Sequence, residues 1–221
     1  MTDFHSGFIA ILGKPNTGKS TLVNKLLGQK IAAVSPRPQT TRRRQMGILT
    51  RENSQLVFVD TPGIHAPRHK LGQFLNQEAE EALEGVDIAF FLVDVSQDPE
   101  DDDRRIAALL QALRRKPRLL MGLNKVDLVS PDLLEKRREA YQSLLPQAEV
   151  AAFSAASGQG LDELVNTLEA YLPIREAEFP EDQLTDLYER EIAADLVREA
   201  ALIALRDEVP HGLNVRIDEY K

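Results

Sequence analysis

The chain has 221 residues, of which 43% are hydrophobic, and its formal net charge is −8. This length allows one large domain or one domain with a smaller module, and the acidic balance argues against wholesale electrostatic binding of nucleic acid. Because the sequence has no cysteines, disulfides and thiolate metal sites are excluded. No basic segment precedes the first apolar run, and no apolar stretch approaches the roughly 20 residues that span a bilayer, so we expect a soluble cytoplasmic protein.

Short apolar runs alternate with longer amphipathic segments as far as residue 172. Runs rich in Ile, Val, Leu and Phe predict buried strands, whereas helical spacing of apolar positions predicts helices. This alternation predicts an α/β fold with a mainly parallel six-stranded sheet covered by helices on both faces, whose ligands bind at the carboxyl ends of the strands. The predicted strands are residues 8–12, 45–50, 56–60, 88–94, 119–124 and 150–154, and the predicted helices are residues 21–27, 71–83, 102–114, 131–144 and 161–171.

The composition changes after residue 172. Residues 173–186 contain two prolines and many charges, which predicts a linker between residues 1–172 and a smaller module at residues 187–221. In that module a helix would bury one stripe, and a half-buried strand would follow it because apolar and polar residues alternate. The predicted stripe is Tyr188, Ile192, Leu196, Ala200 and Ile203, and the buried side of the strand is Leu213, Val215 and Ile217.

The segment GKPNTGKS, residues 13–20, follows the first strand and opens the first helix. This is the G-x-x-x-x-G-K-[ST] pattern, in which glycines let backbone N–H groups converge on phosphates at a helix N-terminus. Lys19 would bridge the β- and γ-phosphates, and the Ser20 hydroxyl would bind Mg²⁺. The pattern predicts a nucleoside triphosphate site formed by Gly13, Asn16, Thr17, Gly18, Lys19, Ser20 and Thr21.

A second element, Asp60-Thr61-Pro62-Gly63, lies at the end of a predicted strand. An acid in this place holds Mg²⁺ through its water shell, and the Gly63 backbone N–H would reach a γ-phosphate. The next residue, Ile64, can neither accept a proton nor orient a water molecule. We therefore expect Ile64 to pack against an apolar surface, and catalysis to depend on Lys19, Gly63 and Mg²⁺.

The segment NKVD, residues 124–127, ends another predicted strand. Guanine presents N1–H and N2–H₂ as adjacent donors that the Asp127 carboxylate can accept together, and adenine cannot satisfy such a site. The Lys125 stem would cover the ring, while Asn124 would bond the imidazole edge of the base or tie loops together. After the next strand, Ser154 and Ala155 open the segment SAASGQG, and the Ala155 N–H would reach guanine O6. GTP and GDP are the predicted ligands.

In order and spacing, GFIAILGKPNTGKSTLVNKLLGQKIA, PQTTRRRQMGI, VDTPGIH, NKVD and FPEDQLTD resemble the bacterial Era family, P-loop GTPases of the TrmE–Era type. The resemblance implies GTP hydrolysis coupled to assembly of the small ribosomal subunit. It also implies a KH domain that binds the 3′ end of 16S ribosomal RNA, and peripheral association with the inner membrane. Because no G-x-x-G segment follows residue 172, the chain resembles an Era cut inside its KH domain, and we expect weak RNA binding by residues 1–221.

The resemblance assigns two further residues. By order, residues 35–44 match the first switch of GTPases, with Thr41 as the Mg²⁺ ligand in preference to its neighbour Thr40. The basic run at residues 42–44 is either a solvated face or a contact to RNA or phosphate. In GTPases with a similar loop, the asparagine corresponding to Asn16 helps hold K⁺ at the β–γ bridge; the alternative is that Asn16 caps the loop.

Two functions follow from these residues. The first is a slow GTPase switch, in which residues 35–44 and 61–71 are ordered by the γ-phosphate and released on hydrolysis. The second is a scaffold for RNA or the ribosome that nucleotide only stabilises. A phosphoryl-transfer kinase on the same loop lacks an evident acceptor site and does not explain NKVD.

Overall fold

A computed structural model of the chain describes residues 3–34, 45–64, 77, 81–113, 117–204, 213 and 215–218. Its centre is a six-stranded sheet in the order β2-β3-β1-β4-β5-β6. Among the strands that the structure describes, only the β2–β3 pair is antiparallel, so the predicted mainly parallel sheet is confirmed. The strands are β1 (His5–Leu12), β2 (Gln45–Arg51), β3 (Ser54–Asp60), β4 (Ile88–Asp94), β5 (Arg118–Asn124) and β6 (Glu149–Ala152).

Helices cover both faces of this sheet. Successive side chains of a strand point to opposite faces, and on β1 Ile9 and Ile11 enter one apolar cluster while Ala10 and Leu12 enter the other. This two-sided burial explains why the central strands are continuous apolar runs. The described helices are α1 (Lys19–Leu27), α2 (Asp101–Ala112), α3 (Pro131–Gln142), α4 (Leu161–Tyr171) and α5 (Glu189–Ala204), with a short 3₁₀ helix at Val126–Leu128.

Most predicted boundaries agree with these elements to within two or three residues. The strand predicted at residues 150–154 ends earlier, at Ala152, because the backbone turns there: the Ser154 N–H donates to the Gln159 carbonyl. The helix predicted at residues 71–83 lies outside the described residues except for Gln77 and residues 81–83, so that prediction stays open. None of the described helices combines the length and apolarity needed to cross a membrane.

The segment predicted as a linker is bound along the sheet. Buried Gln55 accepts hydrogen bonds from the N–H groups of Glu178 and Phe179, at 2.9 and 3.0 Å, and donates to the Phe179 carbonyl at 2.9 Å. Further along, the Ile48 N–H donates to the Leu184 carbonyl at 2.8 Å. This segment therefore satisfies backbone groups on the outer edge of β2, which an edge strand otherwise leaves exposed.

The predicted apolar stripe of α5 is wrong. Ile192 and Leu196 are half-buried, but Tyr188, Ala200 and Ile203 are exposed. The buried side of the helix carries Arg198, Glu199 and Leu202 instead. Glu199 accepts a hydrogen bond from Lys30 Nζ at 2.8 Å, so this side of the helix faces the segment after α1.

The strand predicted around Leu213, Val215 and Ile217 is also absent from the described residues of that segment, although exposure still alternates over residues 215–218. Alternating hydrophobicity predicts a half-buried extended segment. A strand additionally needs a neighbour to pair its N–H and C=O groups, and the described residues offer none there.

Candidate functional site

The predicted phosphate loop joins β1 to α1 and folds around its own lysine. Lys19 Nζ donates to the carbonyls of Gly13 and Lys14, at 3.2 and 2.9 Å, and Thr17 Oγ1 donates to the Lys14 carbonyl at 3.0 Å. Lys19 is 6% exposed, and its burial lowers the pKa of the ammonium to about 8, against the raising effect of the nearby Asp60 charge. The lysine is thus held at the loop that would receive phosphates.

Asn124 ties three of the predicted motifs together. Its Nδ2 donates to the Thr17 carbonyl at 2.8 Å, and its Oδ1 accepts from the Ala155 N–H at 2.9 Å. Gly18, at φ 101°, passes so close that a Cβ there would lie 2.4 Å from Asn124 Nδ2. Of the two roles predicted for Asn124, the structure shows the tie between loops; here the Ala155 N–H is used in that tie.

The two residues predicted to hold Mg²⁺ on the described chain are in contact. Ser20 Oγ donates to Asp60 Oδ2 at 2.7 Å, although the residues lie on α1 and at the end of β3. Asp60 is fully buried, and burial raises the pKa of its carboxyl group against the lowering charge of Lys19. Within the described chain, Asp60 Oδ1 has no hydrogen-bond partner. A buried carboxylate oxygen left over beside a hydroxyl suits a hard cation such as Mg²⁺; Thr41 lies outside the described residues.

The segment after Asp60 packs directly on the phosphate loop. Thr61 Oγ1 donates to the Ile11 carbonyl at 2.7 Å, and the Ile64 N–H donates to the Gly13 carbonyl at 3.1 Å. The Ile64 side chain is 6% exposed and lies in the apolar cluster under the sheet. This is the packing role expected for Ile64, and it leaves no side chain at that position to orient water.

Gly63 permits this close approach, because a Cβ there would lie 2.6 Å from Pro15 N and 2.8 Å from Pro15 Cα. We expect Gly63→Ala to push residues 61–64 away from the phosphate loop and to lower GTP turnover by about 100-fold. GDP affinity should change much less. Phosphate release and GDP titration measure the two quantities.

Gly85→Ala is the matched control for that experiment. Gly85 has φ 78°, so alanine there is strained by the backbone conformation and not by a contact: an added Cβ would meet nothing within 4 Å. It should lower stability without changing turnover. Equal turnover losses in the two variants would contradict the role of the close approach between Gly63 and Pro15 in turnover.

The predicted base-recognition loop, residues 124–127, is compact, and its last side chain is exposed to solvent. Lys125 has a left-handed backbone, φ 69°, and the Val126–Leu128 turn presents Asp127 as an exposed side chain. Ser154 is buried and accepts from the Ser157 N–H at 3.1 Å, which shapes the turn that carries Ala155. The Asp127 carboxylate would therefore lose water only when a base covers it.

Asn16 and Thr21 complete the predicted set. Asn16 is exposed and has φ 65°, a conformation that asparagine tolerates better than most side chains. Thr21 is half-buried in the first turn of α1, one residue after Ser20. The backbone thus supplies one reason for asparagine at position 16 that does not involve a cation.

Sequence reasoning missed three acidic partners of two lysines. Lys14, 6% exposed, pairs with Asp103 and Glu100 at 2.8 Å each, at the start of α2. Asp94, at the end of β4, pairs with Lys125. Both acids that pair with Lys14 belong to the run DPEDDD, residues 98–103, where α2 begins with a capping box. Asp94 ends the apolar run FLVD in the same way that Asp60 ends the run FVD. This position at the end of a strand was the available sequence signal for Asp94.

Comparisons with known proteins identify the family of the chain. Residues 8–125, more than half of the chain, match the family described as 50S ribosome-binding GTPase. A crystal structure of Era in complex with MgGDPNP and nucleotides 1506–1542 of 16S ribosomal RNA is 38% identical, with a TM-score of 0.88. The match covers 94% of this chain and 70% of that one. The chain belongs to the Era family of GTPases.

A second Era structure supports the same assignment. A tyrosine-to-alanine variant of Aquifex aeolicus Era bound to GDP and AlF₄⁻ is also 38% identical, with a TM-score of 0.87 and the same coverage of 94% and 70%. A more distant structure, the elongation factor SelB from Methanococcus maripaludis with a GTP analogue, is 22% identical with a TM-score of 0.58, over 81% of this chain and 37% of that one. It shows only that this Era-family chain has the P-loop GTPase fold.

Proposed function

We propose that this chain is a Mg²⁺-dependent GTPase that hydrolyses GTP to GDP and phosphate and acts as a switch in assembly of the small ribosomal subunit. The observation that carries the proposal is the Ser20–Asp60 contact, 2.7 Å, beside a loop that holds Lys19. Hydroxyl, carboxylate and ammonium are the three groups that phosphoryl transfer needs around a triphosphate. The Era complex with MgGDPNP supports both ligands.

Each residue has a definite task in this site. Lys19 would place its charge on the β- and γ-phosphates, and the α1 N-terminus would add backbone N–H groups. Ser20 and Asp60, with Thr41, would hold Mg²⁺, which neutralises charge on the β- and γ-oxygens when bound. The Gly63 N–H would support the γ-phosphate. Because Ile64 is buried and orients no water, we expect intrinsic hydrolysis to be slow.

Guanine specificity would come from Asp127, which is exposed and can accept two adjacent donors. We expect Asp127→Asn to weaken GTP binding by about 30-fold or more, the cost of a lost charged pair, and to improve XTP binding. Xanthine offers an acceptor where guanine has its amine. Titration with GTP, ATP and XTP measures this, and equal binding of ATP and GTP by the unaltered protein would contradict guanine recognition.

Potassium is a further part of the proposal. If the Asn16 side chain helps hold K⁺ at the β–γ bridge, GTP turnover should be about tenfold faster in KCl than in NaCl at equal ionic strength. Asn16→Gly keeps the left-handed backbone available and removes only the side chain. It should abolish the difference between the salts, whereas Ile64→Ala should retain it. Identical rates in both salts would contradict a role for K⁺. An arginine, from a partner or from residues 42–44, would then better explain how charge at the β–γ bridge is stabilised.

The ribosomal part of the proposal rests on the relatives. The Era structure that contains 16S ribosomal RNA supports its 3′ end as the partner, and the docked segment at residues 173–186 would connect the GTPase domain, residues 1–172, to a KH-type module that begins near residue 187. From the family resemblance we also propose that the protein is cytoplasmic and associates peripherally with the inner membrane. We expect residues 1–221 to bind the RNA 3′ end weakly, because their net charge is −8 and no G-x-x-G segment follows residue 172; fluorescence anisotropy with that RNA measures this.

Multiple-turnover phosphate release tests the switch against the alternative, a scaffold that nucleotide only stabilises. A switch releases many phosphates per protein molecule, at a rate that saturates with GTP. A scaffold binds GTP, gains thermal stability and releases none. Binding without turnover in the unaltered protein would therefore favour the scaffold.

A further inference from the structure

Asp94 is the last residue of β4 and lies beside the base-recognition loop. In the sheet register it is opposite Asn124, and the next residue, Val95, donates its N–H to the Asn124 carbonyl at 3.1 Å. Asp94 is 4% exposed. A buried carboxylate in a GTPase site needs a partner, because desolvation of an unpaired charge is costly.

Both oxygens of this carboxylate are used. Oδ2 accepts from Lys125 Nζ at 2.5 Å, and Oδ1 accepts from the Ser96 N–H and Oγ, at 3.0 and 2.6 Å. The Asp94 side chain is therefore held in one orientation by its own turn, and it presents one oxygen to the lysine. The turn itself has other supports, since the Asp94 carbonyl accepts from Tyr141 Oη at 3.1 Å and from the Gln97 N–H at 3.3 Å.

The ion pair with Asp94 restricts the conformations of the Lys125 side chain. A lysine stem has four rotatable bonds, and an exposed lysine samples many rotamers. Here the left-handed backbone at one end and Asp94 at the other hold the stem between two fixed points, with 29% of the side chain exposed. An apolar stem held in this way can form a wall for an aromatic ring.

We propose that Asp94 is a positioning residue for the nucleotide base. By holding Lys125 Nζ, it fixes the Lys125 stem as one wall of the pocket whose polar end is Asp127. The inference rests on the proposed guanine-nucleotide site and names a group in it that does not itself touch the ligand. Without Asp94, the Lys125 head group turns to solvent, the wall is lost and the base dissociates faster.

Asp94→Asn is the test, because it keeps the size of the side chain and an oxygen for Ser96. With the amide oxygen kept by Ser96, the NH₂ group takes the place of Oδ2, and this group cannot accept a hydrogen bond from Lys125. We expect GDP to dissociate about tenfold faster, which is the effect typical of one lost charge-assisted contact. Displacement of a fluorescent GDP analogue measures the rate. Ser96→Ala is the matched control: it removes a bond to the other oxygen and leaves the lysine pair, so dissociation should stay at the unaltered rate.

Lys125→Met, which keeps a stem without its charge, completes a double-mutant cycle. We expect it to accelerate dissociation as much as Asp94→Asn does, and the double variant to be no faster than either. It carries the test alone if Asp94→Asn does not fold. An unaltered rate in Lys125→Met, additive effects in the double variant, or equal acceleration by Ser96→Ala would each overturn the proposal. Failure of the unaltered protein to bind GDP would instead overturn the proposed function.

Discussion

Lys19→Ala is expected to remove nucleotide binding and turnover while leaving the fold intact. The ammonium is the only side-chain cation that the described phosphate loop directs at its own carbonyls, 2.9 and 3.2 Å away, and phosphates would replace those carbonyls. Losing one partner of a buried charge pair costs about 2–5 kcal/mol, or roughly 30-fold to several thousand-fold in affinity. Calorimetric titration with GDP and GTP measures the loss, and circular dichroism checks the fold. Unaltered turnover in a folded variant would exclude this loop as the site.

The same residue predicts a pH dependence. Burial lowers the pKa of Lys19 to about 8 in the nucleotide-free protein, so its positive charge is lost as the pH rises through that value. Anionic phosphates favour the charged form, and binding above pH 8 must then take up a proton. We expect affinity to fall, by up to about tenfold per pH unit.

Titration in two buffers of different ionisation enthalpy measures this proton uptake. The pH must stay below the ionisation of guanine N1–H, which would otherwise contribute to the change. Equal apparent enthalpies in the two buffers at pH 8.5 (about half a unit above that pKa) would contradict the assignment.

Lys14→Ala is expected to have the largest effect on stability. Lys14 is 6% exposed, and its partner Asp103 is fully buried. Burial alone would lower the pKa of Lys14, but the carboxylates of Asp103 and Glu100 outweigh it and raise the pKa. Removing the lysine leaves the Asp103 charge buried without its partner, which costs about 3–5 kcal/mol. Urea unfolding of the nucleotide-free protein measures the change.

Two further variants make that result specific. Arg104→Ala removes an exposed ion pair to Asp101, 4.0 Å long, and should leave the unfolding midpoint unchanged. Adding Asp103→Asn to Lys14→Ala removes the stranded charge and should restore part of the lost stability. A Lys14→Ala midpoint equal to that of Arg104→Ala would contradict a buried pair.

Much of the fold could be predicted from the sequence because its signals are local. A strand buried on both faces is a continuous apolar run, so β4 was predicted at residues 88–94, and the structure places it at Ile88–Asp94. The phosphate loop is equally local, since it needs glycines where backbone approaches closely: Gly13, Gly18 and Gly63 would each put a Cβ within 2.6 Å of another atom. The predicted order of motifs also brought Ser20 to Asp60, because parallel strands end at one edge of the sheet.

What only the tertiary structure decided is the pairing of charges and the docking of the C-terminal elements. The sequence does not show the partners of Lys14, Asp94 and Asp103, because the partner that neutralises each lies 31 to 89 positions away along the chain. The buried side of α5 carries Arg198 and Glu199, not the apolar stripe, because an ion pair to Lys30 offsets the cost of burying a charge. Hydrophobic periodicity identifies the apolar side of a helix, while the elements that pack against the helix determine which side is buried.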